Sequence, residues 1–193
     1  MLFRSQADAA VTYILKAIDV EKKREKPTRL QVHYGHAAEI YNKQGNTEQA
    51  LHYAELAYEI DRKAGNAKGT ARRMSQMADI YVARGDYRQA EFCYLRAISQ
   101  LEELGEKHSL TIDYKQLGSM YLKQGRHREA IGWLLKADTL SAQTGNNYLR
   151  SQIVRSLATC YEQTGRHDKA CQYLQEAMTP KQFRNTPNIT NKN

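Results

Sequence analysis

The sequence predicts an all-α protein, built as an α-solenoid of antiparallel helix-turn-helix repeats with about nine helices. Three observations lead to this prediction. Similar sequences recur every forty residues, as in IYNKQGNTEQA (40–50) and IYVARGDYRQA (80–90). Apolar residues inside each copy follow the spacing of an amphipathic helix, and no stretch shows the alternation typical of a strand.

Six columns of the forty-residue repeat hold the same residue type, or small residues, in phase. They are Tyr41, Tyr81, Tyr121 and Tyr161; Gly45, Gly85, Gly125 and Gly165; Ala50, Ala90, Ala130 and Ala170; Ala57, Ala97, Ala137 and Ala177; Ala38, Ala78, Gly118 and Ala158; and Gly65, Gly105 and Gly145. Alanine at a helix contact allows the two axes to approach closely, and glycine after the last turn favours the left-handed conformation that ends a helix.

The helices follow from this pattern in chain order. They are predicted at 6–24, 28–44, 47–64, 67–84, 87–104, 108–124, 127–144, 147–164 and 167–178. Pro27 precedes the second helix, and Asn46 and Asp86 are expected to cap the helices that follow them.

Each repeat unit pairs a first helix, helix A, with a second, helix B. The units are predicted at 28–64, 67–104, 108–144 and 147–178, within a repeat domain of residues 1–178. Helix 6–24 is in phase with the B helices, so it is predicted to be an orphan helix B. The polar residues 179–193 are predicted to be a disordered tail.

The two ends of this repeat array predict that the sequence is part of a longer protein. The orphan helix has no helix A, and no polar capping helix follows the last unit, although solenoids normally need one. We therefore expect a fragment of a longer array or of a multidomain protein. Its open ends are predicted to favour self-association.

The columns resemble the tetratricopeptide repeat family, whose signature combines small residues, an aromatic, a glycine and two alanines. In the second unit these are Ala78, Tyr81, Gly85, Ala90 and Ala97. The resemblance implies a right-handed superhelix whose A helices line a concave groove that binds peptides or partner helices. The unit has forty residues rather than the usual 34. It also lacks the usual proline near the end of helix B, and this longer form is similar to repeats of bacterial signalling and regulatory proteins.

The geometry implied by the resemblance places polar side chains of all four A helices in that groove. They are His36, Glu39 and Lys43; Arg72, Gln76 and Asp79; Lys115, Gln116, Ser119 and Lys123; and Gln152, Arg155, Thr159 and Gln163.

This predicted wall carries lysine or arginine in every unit, and its carboxylates come only from the first two units. Cations of this kind suit an acidic segment or a terminal carboxylate, and glutamine can bind a peptide backbone in either sense. The alternative is that these are exposed helix positions without a ligand. The family's clamp for chaperone tails uses Lys and Asn on the first helix A, Asn on the second, and Lys and Arg on the third. The corresponding residues here are Gly35 and Glu39, then Gln76, then Ile112 and Gln116, and none of them is basic, so this clamp is not expected.

Composition and motifs exclude several classes of function. The net charge of +8 lies largely in the flanks, because residues 31–178 carry 19 basic against 17 acidic side chains. We therefore do not expect nucleic-acid binding, which normally needs a basic stripe on the fold itself. No nucleotide-binding, metalloprotease or nucleophile-elbow motif is present, so neither catalysis nor a cofactor or metal site is expected. No apolar run is long enough for a membrane span.

The sequence therefore predicts a non-enzymatic scaffold that binds a protein or peptide partner in a concave helical groove. The alternative is the sensory or regulatory arm of a bacterial transcription regulator or histidine kinase. The partner's identity is not predicted. A cytoplasmic location is favoured over a periplasmic one, which would require a signal peptide upstream in the parent gene.

Overall fold

A computed structural model describes residues 2–24 and 29–178, with side chains for residues 9–24 and 29–176. These residues form nine α-helices and no strand, which confirms the predicted fold class. The helices are α1 (Leu2–Lys22), α2 (Leu30–Lys43), α3 (Thr47–Lys63), α4 (Ala67–Arg84), α5 (Tyr87–Leu104), α6 (Lys107–Lys123), α7 (His127–Thr144), α8 (Asn147–Gln163) and α9 (His167–Met178).

Helix α1 begins at Leu2 rather than at Gln6, because no glycine or proline between these positions interrupts the helix. The other eight helices lie within two residues of their predicted bounds at each end. Pro27 and the predicted tail at 179–193 lie outside the described residues.

The turn between helices A and B is closed by a glycine in the left-handed conformation. Gly125 has φ +72°, and its N–H donates to the carbonyl of Leu122 at 3.0 Å. The following N–H, of Arg126, donates to the carbonyl of Tyr121 at 3.0 Å. Two helix-end carbonyls thus gain donors from within the turn, which fixes the angle at which the next helix leaves.

Asparagine caps α3, α4 and α8, whereas the predicted aspartate cap of α5 is wrong. The side chain of Asn46 accepts a hydrogen bond from the backbone N–H of Gln49 at 3.2 Å. Asp86 occupies the equivalent position before α5 but makes no cap hydrogen bond. Its carboxylate instead accepts from the guanidinium of Arg84 at 2.9 Å, because the basic side chain at the end of α4 competes for it.

The core lies between a layer of A helices and a layer of B helices. The small-residue columns supply its closest contacts, since Ala38, Ala78, Ala90 and Ala130 are all fully buried. Larger side chains join one unit to the next. Tyr121 on α6 donates a hydrogen bond of 2.7 Å to Glu91 on α5, the helix B of the preceding unit.

The A helices form the inner wall of the solenoid. Helix α2 contacts α4, α4 contacts α6, and α6 contacts α8, whereas within the described residues no contact joins one B helix to the next. The A layer is therefore the more tightly spaced one, and a stack that is closer on one side curves towards that side. In the part of the chain that the structure describes, no helix has both the length and the hydrophobicity of a membrane span.

Candidate interaction groove

A cavity of about 310 Å³ opens between α2, α4 and α6, and we call it the central cavity. It lies on the inner wall. Its lining consists of Ala38, Glu39, Asn42, Arg72, Ser75, Gln76, Asp79, Ile80, Leu101, Ser109, Ile112, Asp113 and Gln116.

A second cavity of about 330 Å³ shares Asn42, Asp79 and Gln116 with the first and extends towards Ser119 and Lys123. The two cavities together form a groove across three consecutive A helices, lined by both polar and apolar side chains.

Half of the fourteen side chains predicted to face the groove line these two cavities. They are Glu39, Arg72, Gln76, Asp79, Gln116, Ser119 and Lys123. The other seven line neither: His36, Lys43, Lys115, Gln152, Arg155, Thr159 and Gln163.

Lys115 and Gln152 are held by each other, since the Nζ of Lys115 donates to Oε1 of Gln152 at 3.0 Å. Burial lowers the pKa of Lys115, with the Asp79 carboxylate acting in the opposite direction. This lysine therefore joins α6 to α8, and one of its three N–H donors is already used within the protein.

Sequence reasoning missed Asp113, a carboxylate on the third A helix that was not among the predicted groove residues. Asp113 lies on α6, is 3% exposed and lines the central cavity. The same column holds His33, Arg73 and Ile153 in the other units, so the repeat gave no reason to select it. Its position one helical turn before Gln116 was the available signal, because residues three apart share a face.

Hydrogen bonds hold the two aspartates of the central cavity in place. The Asp79 carboxylate accepts from the hydroxyl of Tyr94 and from Nε2 of Gln116, the latter at 3.0 Å. Asp113 accepts from Oγ of Ser75 at 2.6 Å. Burial raises the pKa of Asp79 and raises that of Asp113 to about 7, against the lowering effect of these hydrogen bonds. Both carboxylates are thus costly to ionise without a nearby cation.

The glutamine in the middle of the groove is already bound within the protein. Nε2 of Gln76 donates to the backbone carbonyl of Gly35 at 2.6 Å, and its Oε1 accepts from the guanidinium of Arg73 at 3.1 Å. Arg73 in turn contacts Asp61 on α3 at 3.3 Å. Gln76 therefore fixes the groove wall and joins α2 to α4, whereas the sequence suggested that it would bind peptide backbone.

Replacing Asp113 with asparagine is expected to flatten the pH dependence of stability. The folded carboxyl keeps its proton up to about pH 7, whereas an unfolded aspartate ionises near pH 3.9. The contribution of this group to stability is therefore present below about pH 4 and is lost as the pH rises to about 7. Thermal melts at about pH 5 and about pH 8 should show that the melting temperature falls less between these two pH values in Asp113→Asn than in the unmodified protein. The exposed Asp168→Asn on α9 is the control, and equal losses in all three proteins would contradict the assignment.

A sequence model of the tetratricopeptide repeat matches residues 28–103 and 104–179, which is most of the chain. The chain belongs to the tetratricopeptide repeat family. A comparison with the curated proteins finds no match. Membership agrees with the observed hairpins and with the inner wall of A helices. Tetratricopeptide repeats typically serve as protein–protein interaction scaffolds.

Solved structures with tetratricopeptide-like folds superpose well on the chain. BtubC (BKLC) from P. vanneervenii is 19% identical, with a TM-score of 0.79 over 100% of this chain and 83% of that one. A Rap protein complexed with competence and sporulation factor is 20% identical, with a TM-score of 0.73 over 91% of this chain and 51% of that one.

A STAND signal-transduction ATPase with a tetratricopeptide repeat sensor, from Pyrococcus horikoshii, is 20% identical, with a TM-score of 0.73. The superposition covers 85% of this chain and 26% of that one. At these identities the likenesses show the fold alone.

The described residues contain no group of three histidine, cysteine or acidic side chains close enough to hold a metal ion. Glu39, Asp79 and Asp113 thus share one cavity without forming a metal-ligand cluster.

Proposed function

We propose that this tetratricopeptide repeat chain binds an extended segment of a protein partner in the groove formed by α2, α4 and α6. The observation that carries the proposal is the central cavity, which is open on the inner wall and combines polar groups from three helices. A segment lying across the groove would contact all three units at once, as in other recognition modes that use a preformed groove.

The wall of this groove is rigid before any partner binds. Gln76 joins α2 to α4, Gln116 holds Asp79 on the neighbouring helix, and Ser75 holds Asp113 across the same α4–α6 contact. A site whose side chains are already ordered loses less conformational entropy on binding. This arrangement therefore supports recognition of a flexible segment by a fixed surface.

A peptide-display selection on the immobilised protein tests the proposal, followed by fluorescence anisotropy with the selected peptides. Ile112 lines the central cavity and is 37% exposed, so Ile112→Trp should fill the cavity and weaken binding by about tenfold or more. Leu135 on α7 is 36% exposed and lines neither cavity, so Leu135→Trp is the matched control. Failure to select any peptide, or peptides that bind both variants equally well, would overturn the proposal.

A regulatory arm of a larger signalling protein is the second candidate. The name of the STAND protein supports it, because there a tetratricopeptide repeat acts as the sensor of a signal-transduction ATPase and this chain matches 26% of that protein. A kinase, ATPase or DNA-binding domain encoded next to this chain in the same gene would favour it over an independent scaffold.

A further inference from the structure

We propose that the central cavity accepts one cationic side chain, a lysine or an arginine, from the bound segment. This inference rests on the proposed function and names the chemistry that the groove selects. It differs from the acidic ligand that the sequence suggested.

The acidic side chains that line the cavity favour a cation, and an entering cation would promote ionisation of the buried Asp113. Glu39, Asp79 and Asp113 come from three consecutive A helices, and Arg72 is the single basic side chain in the lining. Asp113 is the most deeply placed of the four, whereas Glu39 and Arg72 are exposed. An entering cation would therefore pass an exposed carboxylate and meet two more inside, with Arg72 beside the entrance.

The two aspartates are held by hydrogen bonds rather than by direct ion pairs, and Lys115 acts on the Asp79 carboxylate only over a longer distance. In the part of the chain that the structure describes, none of the three carboxylates takes part in an ion pair. The hydrogen bonds from Ser75, Tyr94 and Gln116 occupy Oδ2 of Asp113 and Oδ1 of Asp79. The second oxygen of each aspartate receives no hydrogen bond from the described residues, so it can accept one from a ligand.

Asn42, which lines both cavities, supplies independent support. Its Oδ1 atom is buried and has no hydrogen-bond partner within the described chain. A buried acceptor without a donor costs stability, commonly about 1–3 kcal/mol in proteins. Lysine and arginine carry several N–H donors and no acceptor, so their head groups suit the free acceptor atoms of Asn42 and of the two aspartates.

The walls of the cavity fit the rest of such a side chain. Ala38, Ile80 and Ile112 line it beside the carboxylates. The methylene stem of lysine or arginine packs on aliphatic surface of this kind while the charged head reaches polar groups. A divalent metal fits less well, because the three acidic side chains do not form a metal-ligand cluster.

The test is a random-peptide selection carried out in parallel on the unmodified protein and on variants. Peptides selected on the unmodified protein should share a lysine or arginine at one fixed position, and that preference should disappear on Asp113→Asn. The asparagine keeps the shape of the side chain and an acceptor for Ser75. Glu39→Gln, an exposed substitution that leaves the core intact, should weaken the preference independently. Glu48→Gln, an exposed carboxylate on α3 outside the cavity, should leave it unchanged.

A selected peptide then gives a direct measurement. Replacing its basic residue by norleucine should weaken binding to the unmodified protein by about tenfold or more, and should have little effect on binding to Asp113→Asn. Selected peptides that lack a basic residue, or an equal norleucine effect on both proteins, would overturn this inference and leave the proposed function standing. No selected peptide at all would overturn both.

Discussion

Replacing Arg73 with methionine is expected to lower the free energy of unfolding by about 3–5 kcal/mol, one of the two largest single-residue effects we expect in this chain. Arg73 on α4 and Asp61 on α3 are 3% and 2% exposed, and Nε of Arg73 lies 3.3 Å from Oδ2 of Asp61. Removing the guanidinium leaves the Asp61 carboxylate buried, with the side-chain amide of Asn66 as its remaining donor. For a chain of this size the melting temperature should fall by roughly 6–20 °C.

A neighbouring arginine provides the control. Arg62 pairs with Glu59 at 2.8 Å, a shorter distance than in the buried pair, but both side chains are about half exposed. Arg62→Met should leave the melting temperature almost unchanged, because water replaces the lost contact. Urea unfolding followed by circular dichroism compares the two variants. Equal losses would show that burial does not decide the strength of the Arg73–Asp61 pair.

The position of the Arg73 side chain also explains why residue 35 on α2 is a glycine. A Cβ added at Gly35 would lie 1.9 Å from Nη1 of Arg73, so Gly35→Ala must displace the buried guanidinium. Alanine is otherwise the better helix former by about 1 kcal/mol. We therefore expect Gly35→Ala to destabilise the unmodified protein and to be neutral or stabilising in the Arg73→Met background. The same sign in both backgrounds would contradict this steric explanation.

Leu134→Ala is the second large effect, with an expected loss of about 2–5 kcal/mol. Leu134 on α7 is fully buried in the largest core cluster. Its Cγ atom lies 2.7 Å from the position that a Cβ of Gly118 would occupy. Gly118→Ala alone should therefore overpack the contact between α6 and α7 and cost about 1–3 kcal/mol.

The double variant separates packing from other causes. With Leu134 shortened to alanine, the methyl group of Gly118→Ala enters the space that opens, so the combined loss should be smaller than the sum of the two single losses. Leu135→Ala, the next residue along α7 and 36% exposed, should cost about 1 kcal/mol or less. If the losses of unfolding free energy are additive in the double variant, the residue 118 methyl group and the Leu134 side chain do not compete for the same space.

The predicted helices agree with the structure because their determinants are local. The glycines that follow the helices, such as Gly125, and the asparagines that cap α3, α4 and α8, such as Asn46, act on backbone groups within a few residues of themselves. The forty-residue repeat then supplied the order of the hairpins, since each unit buries its small residues against the same neighbours. Asp86 is an exception, because its carboxylate accepts a hydrogen bond from Arg84 instead of capping α5. The spacing of residues in the sequence does not reveal this competition.

The side chains that line the groove could be predicted from the sequence only in part. The geometry that the family resemblance implies placed Glu39, Arg72 and Asp79 on the inner wall, and they line the central cavity. The sequence did not show that Lys115 would bind Gln152, or that Gln76 would bind the backbone of Gly35, because these contacts join residues 37 and 41 positions apart.

The sequence by itself determined that this chain is a stack of helical hairpins and where each hairpin turns, because glycine, asparagine and alanine act through backbone conformation and close packing at short range. Only the tertiary structure decided which charges meet. Asp113 and Asp79 lie on different helices, and their shared cavity arises from the way α4 and α6 pack in adjacent units. Burial and electrostatic coupling depend on that packing, and no spacing within one repeat specifies it.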